Sequence, residues 1–368
     1  VLQGLRIIEI EGLGPAPFAA MMLADLGADV ICVHRRGGAD AGLLPSNPII
    51  DRGKRSITLD LKSATDVETL LQLIESADGL IEGFRPGVME RLGLGPSDCH
   101  ARNPGLIYGR MTGWGQDSPL SQTAGHDLNY IALSGALWYD GLPDAPPLSP
   151  PTLVGDIGGG ALYLVAGMLA AVLARDRRQA GADPRGCVVD AAIYDGSAHM
   201  MNLLMTLQQA GHFGAARGQN LLDGPHWSRC YTCADGGHIS VQCLEPQFYA
   251  EFLRQLGLQE DPAFTRQHDK TLWPVLAARL AGIFVMQTRD HWAGLFFGSD
   301  ACVAPVLSPS EASNHPMNQR GTWVMGGTGL QAAPAPRFSG QANWTAPPSP
   351  TRGQHTGEIL DELNQKQR

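Results

Sequence analysis

Lysine is scarce in this chain. Only four of the 27 cationic side chains are Lys, and 36 acidic side chains outnumber them to give a formal net charge of −9. A nucleic-acid binder carries a basic face, and none is visible here, so nucleic acid is excluded as a partner. Charged residues make up only 17% of the chain, too few for a disordered polyampholyte. Cysteine is limited to seven, an odd number and too sparse for a disulfide scaffold. No Gly-rich loop ends in Lys-Ser/Thr, no His-Glu-x-x-His is present, and no Gly-x-Ser-x-Gly elbow occurs. Cys230-x-x-Cys233 lacks the second cysteine pair of a zinc site, and spacing three in a strand turns the two thiols to opposite faces. No metal is therefore expected. Long apolar runs reduce to one, residues 157–174, which reach the lower edge of a spanning length. That run contains Gly158, Gly159, Gly160 and Gly167 and is bounded by Asp156 and Arg175, so it reads as a tightly packed internal helix and not as a membrane span. Residues 5–10 read as a strand and not as a charged-then-apolar leader, and the chain closes on Lys366-Gln367-Arg368, which is no peroxisomal address; the expected location is the cytoplasm.

Glycine (45) and proline (26) are abundant, without a period. A length of 368 residues favours two domains. Strand–turn–helix–strand patterning at 5–33 is followed by a helix at 66–76, short strands at 79–81 and 106–108, and a strand at 188–190. Short apolar strands separated by helices indicate a parallel sheet covered on both faces, hence an α/β class. One helix is expected over 191–209. Composition shifts near Gly211. From there to about 320 the pattern gives two short strands and three helices, a smaller α+β domain. Residues 321–356 read as loop and 357–367 as an amphipathic helix returning to the first domain. The domain expectation is a large domain over 1–210, completed by 321–368, with a small domain over 211–320.

Three places carry chemistry. Gly12-Leu13-Gly14 follows the first strand like a dinucleotide fingerprint, but Pro17 stands where a third glycine belongs. The second strand ends in His34-Arg35-Arg36 instead of a carboxylate, which favours a ligand with an exposed phosphate near adenosine, either NADP or coenzyme A. Arg52, Lys54, Arg55 and Lys62 flank 57–60, and Arg85 follows another strand; these residue types make charge-assisted contacts to phosphate. His126 and Asp156 both sit at helix starts beside glycines, and the three glycines after Asp156 are expected to leave room for a ligand to approach the backbone. His has the side-chain pKa nearest neutrality, and an N-terminal helix position favours an ionised Asp or a bound anion. As isolated residues they equally suit a structural histidine and an N-cap. Glu245 precedes a helix and is suited to orienting an imidazole or to capping.

Taken together, 5–26, 52–62 (within DRGKRSITLDLK), 83–94, 108–116, 125–130 (GHDLNY), 154–160, 217–224 (RGQNLLDG), 244–249 (LEPQFY) and 299–307 (SDACVAPVL) resemble the alpha-methylacyl-CoA racemase branch of the family III CoA-transferases, the CaiB/BaiF family. The resemblance implies an acyl-CoA substrate, no separate cofactor, and a Rossmann-like parallel-sheet large domain with a smaller α+β domain in an interlocked homodimer. It also implies a CoA site at Arg35, Leu59, Asp60, Leu61, Lys62, Gly125, Asp127, Leu128, Asn129 and Tyr130, with Arg85 beside the phosphates. Catalysis falls to His126 and Asp156 as two acid/base groups that racemise a 2-methylacyl-CoA thioester through an enolate, with Glu245 reaching in from the partner subunit. The alternative is an acyl-CoA:carboxylate CoA transferase with Asp156 as nucleophile. The sequence departs from the family pattern at 177–186, at Pro225-His226-Trp227 and at Cys243; the last two are expected to touch the acyl pocket.

Overall fold

β-branched and aliphatic residues bounded by Gly or Asp form six short strands: β1 (Arg6–Ile10), β2 (Asp29–Arg35), β3 (Arg55–Leu59), β4 (Gly79–Glu82), β5 (Ile107–Thr112) and β6 (Cys187–Ala192). They appear in a computed structural model that describes residues 1–37, 45–177, 185–340 and 344–366. The sequence departure at 177–186 lies mostly outside the described residues. All six strands are parallel, in the order β3-β2-β1-β4-β5-β6. This is the doubly wound order, whose direction reverses between β1 and β4 and opens a crevice at the carboxyl ends of the strands.

Both faces of the sheet are covered, so neighbouring residues on one strand feed opposite cores. Ile8, Ile31, Leu80 and Tyr108 pack on one side with Leu70 and Leu73 of the helix Ala64–Glu75. Ile7, Val30, Ile81 and Ile107 pack on the other with Ala19, Ala20 and Leu23 of the helix Pro15–Asp25. Glycines in β4 and β5 let the helix Leu162–Asp176 lie close to the sheet. A Cβ at Gly79 would stand 2.7 Å from Met168 Cε, and one at Gly109 would stand 2.9 Å from Met168 Sδ. Of the described helices, Leu153–Asp176 is the one long and apolar enough to cross a membrane; here Leu164, Val165 and Met168 are buried against the sheet.

The chain divides into two compact units: unit 1 comprises Val1–Ala136, Pro150–Met200 and Ser313–Arg368, and unit 2 comprises Leu137–Ser149 and Met201–Ala312. Unit 2 holds an antiparallel sheet of β7 (Ser228–Thr232), β8 (His238–Gln242) and β9 (Val303–Pro305), with the helices Pro246–Leu256, Trp273–Phe284 and Arg289–Phe296 around an aromatic core. The helix expected over 191–209 is two, Ile193–Met200 and Asn202–Gln209. Residues 321–356, expected as loop, contain the hairpin of β10 (Trp323–Gly326) and β11 (Gly329–Ala332). The helix Thr356–Lys366 then closes one face of the large sheet through buried Ile359 and Leu363. It is fixed by Arg55 to Glu362 at 2.6 Å and by His355, whose N–H donates to Ser56 O at 2.9 Å and whose Nδ1 accepts from Ser56 N at 3.0 Å.

Candidate active site

Two cavities lie in unit 1 at the carboxyl ends of the strands. The first, about 540 Å³, is lined by the ends of β1, β2 and β3: Glu9 to Leu13, Cys32 to Arg35, and Leu59 to Lys62, with Asp51, Phe84 and Arg352. The second, about 580 Å³, is lined by Gly12 to Ala16 after β1, Gly83 to Pro86 after β4, Met111 to Trp114 at the end of β5, and by Gly125, His126, Tyr130 and Asp156. Gly12, Leu13 and Phe84 border both. The pair therefore straddles the switch point of the sheet.

The floor of the first cavity is a buried ionic cluster. Lys54 Nζ lies 2.7 Å from Glu9 Oε2 and 3.1 Å from Asp51 Oδ1, and it donates to Pro17 O at 3.2 Å. Burial pushes the Glu9 carboxyl up to about 7, with Lys54 opposing the rise. Burial also works against Asp51, but a hydrogen bond with His34 and the Lys54 ammonium hold it below its ordinary value. Among the described residues, Glu9, Cys32 and Asp51 bring possible metal-ligand atoms within 4.8 Å of one another. The ammonium already supplies the positive charge that such a cluster needs, so these residues do not fit a divalent cation.

In the second cavity His126 occupies the N-cap of the helix Asp127–Ser134, and its backbone N–H donates to Asn129 Oδ1 at 3.0 Å. Asp127 is buried and its Oδ1 accepts from Asp156 N at 2.7 Å. Asp156 is not an N-cap. It lies within a π-helical turn, Leu153–Ala161, whose cap is Thr152. The carboxyl of Asp156 is raised to about 6, chiefly by burial and then by the Asp127 charge, with His126 opposing both. Burial and the Asp127 charge thus disfavour the ionised form, against the expectation from a helix start. A Cβ at Gly14 would sit 3.7 Å from Asp156 Oδ2, so the turn after β1 runs beside this carboxylate. Tyr130 stands edge-on to Trp114, with centroids 4.7 Å apart, and donates to Gly125 O.

The glycines after Asp156 do not clear space for a ligand, contrary to their sequence reading. A Cβ on Gly159 would stand 2.3 Å from Ser197 Oγ and 2.7 Å from Ser197 N; on Gly160 it would stand 2.9 Å from Ile193 Cγ1. They allow the π-helical turn to press against the helix Ile193–Met200.

The candidate residues thus separate. Arg35, Leu59, Asp60, Leu61 and Lys62 line the first cavity, while Arg85, Gly125, His126, Tyr130 and Asp156 line the second. Leu128 and Asn129 are exposed on the helix and line neither, and Asp127 supports the Asp156 backbone. Glu245 is an exposed N-cap of the helix Pro246–Leu256 in unit 2. His226, Trp227 and Cys243 are core residues of unit 2. His226 Nε2 lies 2.7 Å from Tyr249 Oη, and burial depresses its pKa to about 4. Trp114 and Arg352 line cavities without having been singled out from the sequence. Trp114 stood within the quoted 108–116 motif, whereas nothing local marks Arg352.

The whole chain has close relatives. Mouse alpha-methylacyl-CoA racemase is 40% identical, with 98% of this chain and 93% of the relative covered. Rv3272 of Mycobacterium tuberculosis, described as a probable fatty acyl-CoA transferase, is 32% identical over 98% of this chain and 97% of its own. A crystal structure of a CaiB/BaiF family protein from Brucella suis superposes with a TM-score of 0.82 at 26% identity, covering 98% of this chain and 99% of that one. The family model for CoA-transferase family III matches residues 2–356, and the chain belongs to this family of enzymes acting on CoA thioesters.

Proposed function

We propose that the protein racemises 2-methylacyl-CoA thioesters at the α-carbon by two-base proton transfer. The observation that carries this reading is the sharing of one cavity by His126 and Asp156, with the Asp156 carboxyl raised to about 6. A carboxyl raised towards neutrality can serve as an acid when protonated and as a base when ionised, which suits a reaction that runs in both directions. A nucleophilic carboxylate has no need of the imidazole.

In this reading the phosphates of CoA occupy the first cavity with Arg35 and Lys62, and the thioester passes Gly12 and Leu13 into the second. One base removes the α-proton to leave an enolate, and the conjugate acid of the other delivers a proton to the opposite face. From one enantiomer neutral His126 is the base and protonated Asp156 the acid. From the other, ionised Asp156 is the base and the imidazolium the acid. The enolate requires hydrogen-bond donors at the thioester oxygen. Gly125, Tyr130 and Arg85 line the second cavity and Asp127 supports it, so Arg85 lies on the thioester side; Leu128 and Asn129 line neither cavity. Two chains form an interlocked homodimer in which the partner supplies Glu245. Exposed Leu153, Leu162 and Leu173 in unit 1 are the kind of apolar surface a partner covers. The expected location is the cytoplasm.

CoA transfer with Asp156 as nucleophile is the second reading. The solved structures lean toward it. Rv3272, a probable fatty acyl-CoA transferase, resembles this chain in sequence and also in its solved structure, at a TM-score of 0.78. The deciding experiment incubates the protein with (2R)- and (2S)-2-methylacyl-CoA in D₂O without an acceptor acid. Deuterium at the α-carbon and convergence of both epimers on one mixture are expected. Absence of exchange, with acyl transfer to an added carboxylic acid and a hydroxylamine-sensitive enzyme adduct, would overturn racemisation in favour of transfer.

A further inference from the structure

The first cavity contains an acid that a polyanion-binding site should not tolerate. Glu11 follows β1 directly, at the carboxyl edge of the sheet, and lines the same cavity as Arg35 and Lys62. It is held below the ordinary carboxylate range by hydrogen bonds from Arg352 and from the Arg35 backbone, which outweigh burial, so it is ionised at neutral pH. The other deeply placed acids of this wall, Glu9 and Asp51, share Lys54.

The neutralising group for Glu11 comes from the far end of the chain. Arg352 Nη1 donates to Glu11 Oε1, and Nη2 donates to Glu11 Oε2 at 2.8 Å, a two-pronged pairing. The same Nη2 lies 3.4 Å from Arg35 O, while Arg35 N donates to Glu11 Oε2 at 2.9 Å. Arg352, Glu11 and Arg35 thus form one hydrogen-bonded unit on the rim. Arg352 is placed there because the segment that carries it runs into His355, which is hydrogen-bonded to Ser56 in β3, and because Gly353 N donates to Ser56 Oγ at 2.8 Å. Glu11 and Arg352 side chains retain 32% and 23% of their exposure, so the pair faces a partly desolvated cavity in which charge is weakly screened.

We propose that Arg352 is a specificity-determining residue of this cavity, which makes the rim receptive to the phosphates of CoA by cancelling the charge of Glu11 and fixing the Arg35 backbone. The inference rests on the reading of the first cavity as the CoA phosphate site. Its effect is on affinity for the nucleotide part of the ligand and not on proton transfer at the thioester.

The test is calorimetric titration with free CoA at low salt for the wild type, Glu11→Gln, Arg352→Gln, Arg352→Lys and the double variant E11Q/R352Q. Arg352→Gln is expected to weaken binding about tenfold, equivalent to about 1.4 kcal/mol, with the loss shrinking as salt rises. Glu11→Gln is expected to bind as tightly as the wild type or more so. The double variant should return to within about twofold of wild type, because the charge that Arg352 cancels is gone. Arg352→Lys keeps the charge and should lose no more than about threefold, and thermal melting of each variant separates affinity from misfolding. Equal binding by Arg352→Gln and wild type would overturn the proposal. So would a double variant as weak as Arg352→Gln, which would make Arg352 a direct phosphate contact, or a loss in Glu11→Gln alone, which would make Glu11 a ligand group. Failure of the wild type to bind CoA at all would instead refute the assignment of the cavity on which the inference stands.

Discussion

Glu9 and Asp156 are two carboxylates of unit 1 raised by the same cause, burial, to about 7 and about 6. Their surroundings differ. Glu9 stands within β1 and is tied to the Lys54 ammonium at 2.7 Å, which also holds Asp51 and the Pro17 carbonyl. Asp156 lies on a turn, is influenced by Asp127 and His126, and faces the second cavity. A raised carboxyl is therefore an unreliable marker of chemistry when read alone. Both line a cavity; the fixed Lys54 ammonium beside Glu9, against the imidazole of His126 near Asp156, separates the structural carboxyl from the candidate acid/base residue.

The comparison can be broken most sharply at Asp156. Asp156→Asn is expected to lower α-proton exchange about 10⁴-fold with CoA binding retained. A comparable loss for Glu9→Gln would erase the distinction. Asp156→Asn should also be more stable than wild type at pH 7. The folded-state pKa of this acid is raised from 3.8, so ionisation disfavours the fold: stability falls as pH climbs from about 3.8 and levels off above about 6. Urea unfolding at pH 4 and pH 7 measures both ends.

Lys54→Met leaves two buried acids without their cation and is expected to cost about 3–5 kcal/mol in urea unfolding, partly recovered by adding Glu9→Gln. A neutral outcome would remove the structural role assigned to that cluster. Gly159→Ala forces a methyl against Ser197 and is expected to destabilise by about 1–3 kcal/mol and to slow turnover by displacing Asp156. Last, the rate in the direction that uses Asp156 as base should fall about tenfold per pH unit below 6. Asp127→Asn removes one cause of the raised pKa and should move that acid limb to lower pH. An unmoved limb would assign the titration to another group.

Much of unit 1 is legible in the sequence because its strands are short apolar runs punctuated by Gly and Asp, and the strand–helix alternation implies a parallel sheet. Elements held by distant partners are less legible. β9 is three residues long and is defined by pairing with β8 some sixty residues earlier, and the hairpin β10–β11 is hidden in Gly/Pro-rich sequence. The break after Met200 interrupts a continuous apolar pattern that reads as one helix. At the candidate site, residue types drew attention to His126 and Asp156, which line one cavity, but their local settings were misread in part. The glycines after Asp156 face Ser197 and Ile193, contacts that no local pattern encodes. Arg352 and Glu11 are 341 residues apart, and only the return of the chain to β3 brings them together.

That return also sets the order in which the polypeptide becomes protected as it is made. Ile8, Ile31 and Tyr108 are made early, yet two of the side chains that seal their face, Ile359 and Leu363, follow about 250 residues after Tyr108. All of unit 2 is made by Ala312, before these two side chains, so the earlier-made sheet waits with part of one apolar face uncovered. A chain that stops before Ile359 therefore leaves apolar surface of the large sheet exposed, and loses more than the helix it lacks.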